Sequence, residues 1–339
     1  MMIDLRSDTV TKPTPQMLEV MLNAQVGDDV FEEDPTVIQL EETAAKMFGK
    51  EAGLYCPSGT MTNQIAIKAV TESGTEVICE KGSHVYYYEG GGIMSNSGAS
   101  VKLIEGNRGR ITADDVIKNI NADNVHFPES RLVVLENTAN RGGGSCYNLE
   151  DMQSIAAACK THNLFLHLDG ARIFNACIAK NYSPSDIGQC FNSISVCLSK
   201  GLGAPVGSVL LGDKGLIKKA RRIRKVFGGG MRQAGYIAAA GLYALNNHIN
   251  RLVDDHKKAK HIESILKSCS FVKSVLPVET NIVIFGLQDG FKTETILNHL
   301  SKNNILAFAT GPDTIRFVTH LDISDTMLYD IDKVLKTFN

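Results

Sequence analysis

No C-x-x-C pair occurs among the eight cysteines (56, 79, 146, 159, 177, 190, 197 and 269), and none groups with histidine at zinc-finger spacing. That excludes a structural zinc module, and no metal site is expected; buried free thiols in a reducing cytoplasm are the expectation. No stretch approaches the roughly 18 apolar residues of a membrane span. The N-terminal segment carries Asp4, Arg6, Asp8 and Lys12 and has no apolar signal-peptide core. Charge of one sign is missing too: 35 Lys+Arg against 37 Asp+Glu leave a formal net charge of −2, so no overall basic field draws the chain to nucleic acid or a membrane surface. There is no fixed-period repeat, no low-complexity tract and no G-x-x-x-x-G-K-[ST] phosphate loop. Proline is scarce, at 9 of 339 residues, and 43% of the chain is hydrophobic, which sets collagen, mucin and disordered chains aside. What remains is a globular protein for a small-molecule partner, long enough for one large α/β domain with or without a smaller one.

A helix is expected near Pro15 to Ala24. A second begins at Asp34 as N-cap with Pro35 in its first turn, repeats Val37, Leu40, Ala44 and Met47 on one face, and ends at Gly49. Strands then alternate with helical segments, at 52–55, 76–80, 100–104, 131–136, 164–168, 193–198 and 207–211. Such alternation predicts a mainly parallel sheet covered by helices on both faces. Beyond about residue 250 the texture becomes charged helices with strands near 281–285, 305–309 and 314–319, read as a small α+β domain over 251–339 behind a large unit over 1–250 that includes the N-terminal arm.

The segment Ser193 to Gly207 delivers Lys200 from an alternating strand straight into a glycine-rich turn. Desolvation there favours a neutral amine, available for a Schiff base with an aldehyde; a lysine leading into an ordinary loop is the alternative. Gly201 and Gly203 resemble a dinucleotide loop, but Val206 takes the third glycine position. Asp169 ends the apolar strand Leu164 to Leu168, at the sheet edge where open α/β proteins bind ligands. A carboxylate at that depth needs a cationic partner: a protonated pyridine ring, or simply Arg172. Ser58, Gly59 and Thr60 stand at a helix start, where N–H groups and hydroxyls suit a phosphate or merely cap the helix. His84, in a polar and aromatic loop, is a candidate for ring stacking or for base, whereas His167 within the buried strand reads as a core histidine. The basic run Lys218 to Lys225 reads as a solvated helix face before a nucleic-acid patch.

Taken with Leu5-Arg-Ser-Asp-Thr-Val-Thr11, Gly27-Asp-Asp-Val30, Asp34-Pro-Thr-Val37, Glu136-Asn-Thr138, Asp169-Gly-Ala-Arg-Ile-Phe-Asn175, Leu198-Ser-Lys-Gly-Leu-Gly203, Gly228-Gly-Gly-Met-Arg-Gln233 and Arg316-Phe-Val-Thr-His-Leu-Asp322, these segments resemble the low-specificity L-threonine aldolases, a fold-type-I pyridoxal phosphate family. The resemblance spans nearly the whole chain. It implies pyridoxal 5'-phosphate bound through Lys200, with Asp169 on the pyridine nitrogen, His84 over the ring and Ser58, Gly59 and Thr60 on the phosphate, helped by Lys225 and Arg232 from a facing subunit. It implies Ser7, Arg172 and Arg316 for the substrate carboxylate and His126 near the substrate side chain. It further implies a homotetramer, a dimer of dimers with shared active sites, that cleaves L-threonine and L-allo-threonine to glycine and acetaldehyde, with His84, a water or His126 as base. Phe31 and Ala139 depart from the family pattern, which often has Tyr and His there, and Arg141-Gly-Gly-Gly144 is unusual. The rivals are a β-eliminating lyase or aminotransferase of the same fold, a nicotinamide dehydrogenase, and a non-catalytic binding module.

Overall fold

In the computed structural model, which describes residues 2–338, the chain opens with strand β1 (Ile3–Asp4) and helix α1 (Pro15–Leu22). Helix α2 (Pro35–Met47) starts as its sequence predicts: the Asp34 carboxylate accepts from the N–H groups of Thr36 and Val37, Pro35 sits in the first turn, and Gly49 ends it at φ 62°, a left-handed conformation that glycine adopts freely.

Strands β2 (Ala52–Cys56), β3 (Thr75–Glu80), β4 (Ser100–Ile104), β5 (Glu129–Glu136), β6 (Phe165–Gly170), β7 (Ser193–Cys197) and β8 (Ser208–Gly212) form one sheet in the order β2-β8-β7-β6-β5-β3-β4. Helix α3 (Gly59–Val70) connects β2 to β3. Every expected strand of this sheet is present, each end within two residues of its sequence position. The strands β3 to β7 run parallel, while β8 is antiparallel to both β7 and β2. Only a turn separates β7 from β8, too short for the crossover a parallel pair requires. Successive residues on a strand face opposite ways, so Val133 and Leu135 of β5 pack into one apolar layer while Leu132 and Val134 pack into the other. Burial of each such side chain stabilises the fold by about 1.5–3 kcal/mol, and both faces are covered. All eight cysteines are free thiols, and seven of them are buried. Among the described residues no helix is long and apolar enough to cross a membrane.

A second core gathers Ile262, Phe271, Phe285, Phe317 and Ile331. Its sheet has the order β12-β13-β10-β9, from β9 (Val272–Val275), β10 (Ile282–Leu287), β12 (Phe308–Ala309) and β13 (Thr314–Val318), all antiparallel. The single strand expected at 305–309 is two, because β11 (Ile305–Leu306) turns away to pair in parallel with β1. The N-terminal arm, read with the large unit, thereby places Ile3 and Leu5 in the second core. Two apolar residues on so short an extended segment carry too little pattern to announce a strand. The arm returns Asp8 and Thr11 to the mouth of the large sheet, where Thr11 Oγ1 donates to the Lys200 carbonyl at 2.9 Å.

Candidate active site

The C-terminal ends of β5, β6 and β7 lie side by side, with Glu136 in register with Asp169 and Asp169 with Ser195. Lys200 follows β7 by three residues and is half-buried. Its approach depends on the turn to β8: Gly207 sits at φ 115°, where an added Cβ would lie 2.4 Å from the Tyr55 ring, so only glycine fits.

Asp169 is 2% exposed. Its Oδ2 accepts from Asn63 Nδ2 at 3.0 Å and its Oδ1 from the Ala171 N–H at 3.1 Å, and among the described residues no cation pairs with it. Arg172, the alternative partner offered by the sequence, is turned elsewhere: Nε and Nη2 donate to the two oxygens of buried Asp8 at 2.8 and 2.7 Å. Burial alone would raise the Asp8 carboxyl, but Arg172, Lys200 and Asn281 overturn that and hold it well below the usual carboxylate range.

His84 begins a one-turn helix, His84–Tyr87, with its N–H on Glu136 Oε2 at 2.8 Å, its Nδ1 on Glu89 Oε1 at 2.9 Å and its ring 5.5 Å from that of Tyr88. Burial disfavours the charged ring, but Glu89 and Asp169 outweigh burial and raise His84 above the ordinary imidazole value. Nδ1 of His84 and one oxygen each of Glu89 and Asp169 lie within 4.8 Å of one another. The Asn63 amide donates to both carboxylates, at 2.9 Å to Glu89 Oε1 and 3.0 Å to Asp169 Oδ2. His167 is the core histidine expected, with Nδ1 2.7 Å from Ser193 Oγ and Nε2 3.1 Å from Asn63 Oδ1, and burial pushes it down to about 4.

Ser58 Oγ caps α3 through the Met61 N–H, and beside that helix start lies Ser208, whose buried hydroxyl has no partner and lies 3.5 Å from where a Cβ on Gly59 would stand. Arg316 Nη1 and Arg172 Nη1 both reach Asn140 Oδ1, at 2.9 and 3.4 Å, so two guanidinium groups converge on one amide oxygen. Arg316 Nη2 also donates to the Arg6 carbonyl, leaving its buried Nε without a partner. Burial and the neighbouring Arg172 lower Arg316. Ser7 Oγ accepts from the Thr9 N–H and caps the turn carrying Asp8.

Three expected residues stand apart from this constellation. His126 is exposed in the loop before β5, at the opposite end of that strand from Glu136; the strand's eight residues at about 3.3 Å each span roughly 25 Å, so His126 does not reach its own chain's site. Lys225 is exposed, and Arg232 pairs with Asp28 at 2.8 Å rather than with Ser58, Gly59 or Thr60. Nor is the basic run wholly solvated: Arg224 is buried on Asp29 at 2.9 Å and Arg221 pairs with Glu41 at 2.9 Å.

Asn63, Glu89, Asn140 and the contacts of Glu136 with the His84 and Asn140 N–H groups were not legible in the sequence. Helix α3 did carry one signal, the consecutive polar residues Thr62, Asn63 and Gln64, which are all buried. Burial and the field of Asp169 raise Glu136 to about 7, against the N–H bonds from Asn140 and His84. A folded carboxyl raised above its unfolded value of 4.5 binds its proton longer than the unfolded chain does, so its contribution weakens stability as pH rises from 4.5 to about 7. The melting temperature of Glu136→Gln is therefore expected to lose less over that pH interval than that of the parent protein, and parallel curves would refute the assignment.

The β-eliminating lyase family profile matches residues 4–289. The chain belongs to the β-eliminating lyase family and, within it, to the group of the low-specificity L-threonine aldolases. Low-specificity L-threonine aldolase 1 of Arabidopsis thaliana is 40% identical over 343 residues, 99% of this chain and 95% of its own length. The low specificity L-threonine aldolase of Escherichia coli strain K12 is 40% identical over 331 residues, 97% of each chain. A threonine aldolase structure from Leishmania major superposes with a TM-score of 0.87 at 20% identity, covering 99% of both chains, and a Sphingomonas wittichii serine palmitoyltransferase with 0.78 at 15% identity, covering 99% of this chain and 86% of its own. The architecture is thus the fold-type-I one expected.

Proposed function

We propose that this chain is a pyridoxal phosphate-dependent aldolase that cleaves the Cα–Cβ bond of L-threonine, L-allo-threonine and related β-hydroxy-α-amino acids, giving glycine and an aldehyde. The observation that carries this reading is Asp169: a carboxylate 2% exposed, bonded only by neutral N–H donors, one strand away from the lysine that follows β7. Leaving such a charge unpaired is costly, and a protonated pyridine nitrogen is a fitting partner. The α3 N-terminus and the partnerless Ser208 hydroxyl suit a phosphate dianion, and the Lys200 amine, free of any acidic partner among the described residues, suits an aldehyde. When bound, the cofactor supplies an electron sink for the pair released from the Cα–Cβ bond.

The chain's own groups do the rest. Arg172, locked by Asp8, and Arg316 bind the α-carboxylate where they now share the Asn140 oxygen, and Ser7 borders that position. His84 Nε2, which has no protein partner among the described residues, takes the β-hydroxyl proton directly or through a water. Glu136 holds the His84 backbone N–H and so sets the ring's height above the sheet end. Two relatives at 40% identity over nearly their full lengths support Cα–Cβ cleavage over elimination. With L-allo-threonine the expected products are glycine and acetaldehyde in equal amounts; ammonia and 2-oxobutanoate in their place would mean elimination and overturn the reading.

Sites shared between two copies, assembled into a homotetramer, complete the proposal. Phe31 (68% exposed), three residues after the Asp28 that pairs with Arg232, and Val226 (78%), next to Lys225, lie bare, apolar surface that a second copy would cover. Lys225 and Arg232 then serve the neighbour's phosphate. Mixing the two inactive variants Lys200→Ala and Arg232→Ala and letting subunits exchange is expected to restore activity, up to about a quarter of the wild-type site count for a two-fold pair; a mixture as dead as its components would place each site within one chain. The eight free cysteines support the cytoplasm as compartment.

A further inference from the structure

Glu89 follows the His84 helix, and its side chain is completely buried. Each of its oxygens is engaged. Oε1 accepts from Asn63 Nδ2 at 2.9 Å and faces His84 Nδ1 at 2.9 Å, and Oε2 accepts from Gln64 Nε2 at 2.7 Å. The same Asn63 amide donates to Asp169 Oδ2 at 3.0 Å, while its oxygen faces His167 Nε2 at 3.1 Å. A carboxylate oxygen only accepts, so the hydrogen of neutral His84 sits on Nδ1 and the ring's lone pair is on Nε2.

We propose that Glu89 is a positioning residue that fixes the tautomer and plane of His84, leaving Nε2 as its free basic atom, and that Asn63 ties this setting to the carboxylate of Asp169. The inference rests on the reading of His84 as the group that receives the β-hydroxyl proton. Packing alone does not call for a carboxylate here. Two buried acids sharing one amide repel each other, and an amide at position 89 would fill the same volume without that cost. It would not hold the same hydrogen bonds, however. Gln64 Oε1 already accepts from Asn96 Nδ2 at 3.1 Å, so Gln64 must go on donating to position 89. An amide there would turn its oxygen to Gln64 and its NH2 to His84, forcing the ring hydrogen onto Nε2 and removing the base. The same NH2 would also meet the Asn63 NH2.

Besides Glu89, the groups that face His84 are Asp169 from β6, Glu136 from β5, Lys200 after β7 and Tyr88. Removing the Glu89 charge leaves Lys200 opposed only by the more distant acids, so the proton affinity of the ring falls.

The test is deuterium exchange at the His84 Cε1 position, read by mass spectrometry across pH on the purified protein, alongside kcat and KM for L-allo-threonine. In Glu89→Gln the exchange midpoint is expected to drop by at least one pH unit and kcat by about 10²-fold, with KM changed less than threefold. Glu89→Asp, which retains the carboxylate, is expected to recover the midpoint and much of kcat. An unchanged midpoint in Glu89→Gln overturns the proposal whether or not activity falls, and so does a Glu89→Asp protein that behaves like Glu89→Gln. A shifted midpoint in a protein that makes no glycine from any β-hydroxy amino acid would leave the Glu89–His84 pairing standing and remove the aldolase reading beneath it.

Discussion

Lys200→Ala is expected to lower kcat for L-allo-threonine by on the order of 10⁴-fold or more while leaving the fold intact. The size follows from the amine's role as the covalent anchor, which no neighbouring group duplicates. Its intactness follows from the surroundings. Lys200 is half-buried, its backbone carbonyl holds Thr11 Oγ1, and its Nζ makes no hydrogen bond or ion pair among the described residues, so truncation removes no partner. Stability is expected to change by less than about 0.5–1 kcal/mol. Activity retained within tenfold would take the lysine out of the chemistry, and a nicotinamide-type reaction would then return as a candidate.

Asp8→Ala is expected to act the other way, chiefly on stability. The Asp8 carboxylate is buried and bonds Arg172 through two N–H groups at 2.8 and 2.7 Å, with Asn281 Nδ2 on it at 3.2 Å. Removing it strands a buried guanidinium, a loss of about 3–5 kcal/mol when one partner of such a pair is deleted. A urea midpoint in parallel with a KM measurement reads both consequences, because a loosened Arg172 no longer presents its fork to the substrate carboxylate. The pH dependence has a definite sign. Arg172 holds the folded carboxyl below its ordinary value of 3.8, so the pair's contribution is complete above that pH and fades as pH falls further. The variant is expected to lack that part of the acid transition, and a destabilisation below about 1 kcal/mol would contradict the buried pairing.

Periodicity made the large sheet legible because β5 and β6 carry near-continuous apolar runs and β7 alternates serine with isoleucine and valine, and because a strand that ends in Asp169 or leads to Lys200 must open at the same edge. Periodicity shows which side of an element meets the core, not which polar groups meet each other. Asp8 and Arg172 are 164 residues apart, and Asn63 and Asp169 are 106 apart, so the partner of either acid could not be read from spacing. Arg172 was for that reason an open alternative partner for Asp169. Strands β1 and β9, of two and four residues, are too short to leave a pattern. His126 shows the converse limit: the resemblance puts it near the substrate side chain, but the strand that follows places it at the opposite end of its own sheet from Glu136.

The most direct test of the central claim, that Lys200 and Asp169 hold an aldehyde cofactor between β6 and β7, is borohydride reduction of the purified protein followed by peptide mass mapping. Reduction converts a lysine–aldehyde linkage into a stable secondary amine. The account predicts one phosphopyridoxyl-bearing peptide, the one containing Lys200, and none in Lys200→Ala. Label on a different lysine, or a protein that takes up no label after incubation with pyridoxal phosphate, would contradict it.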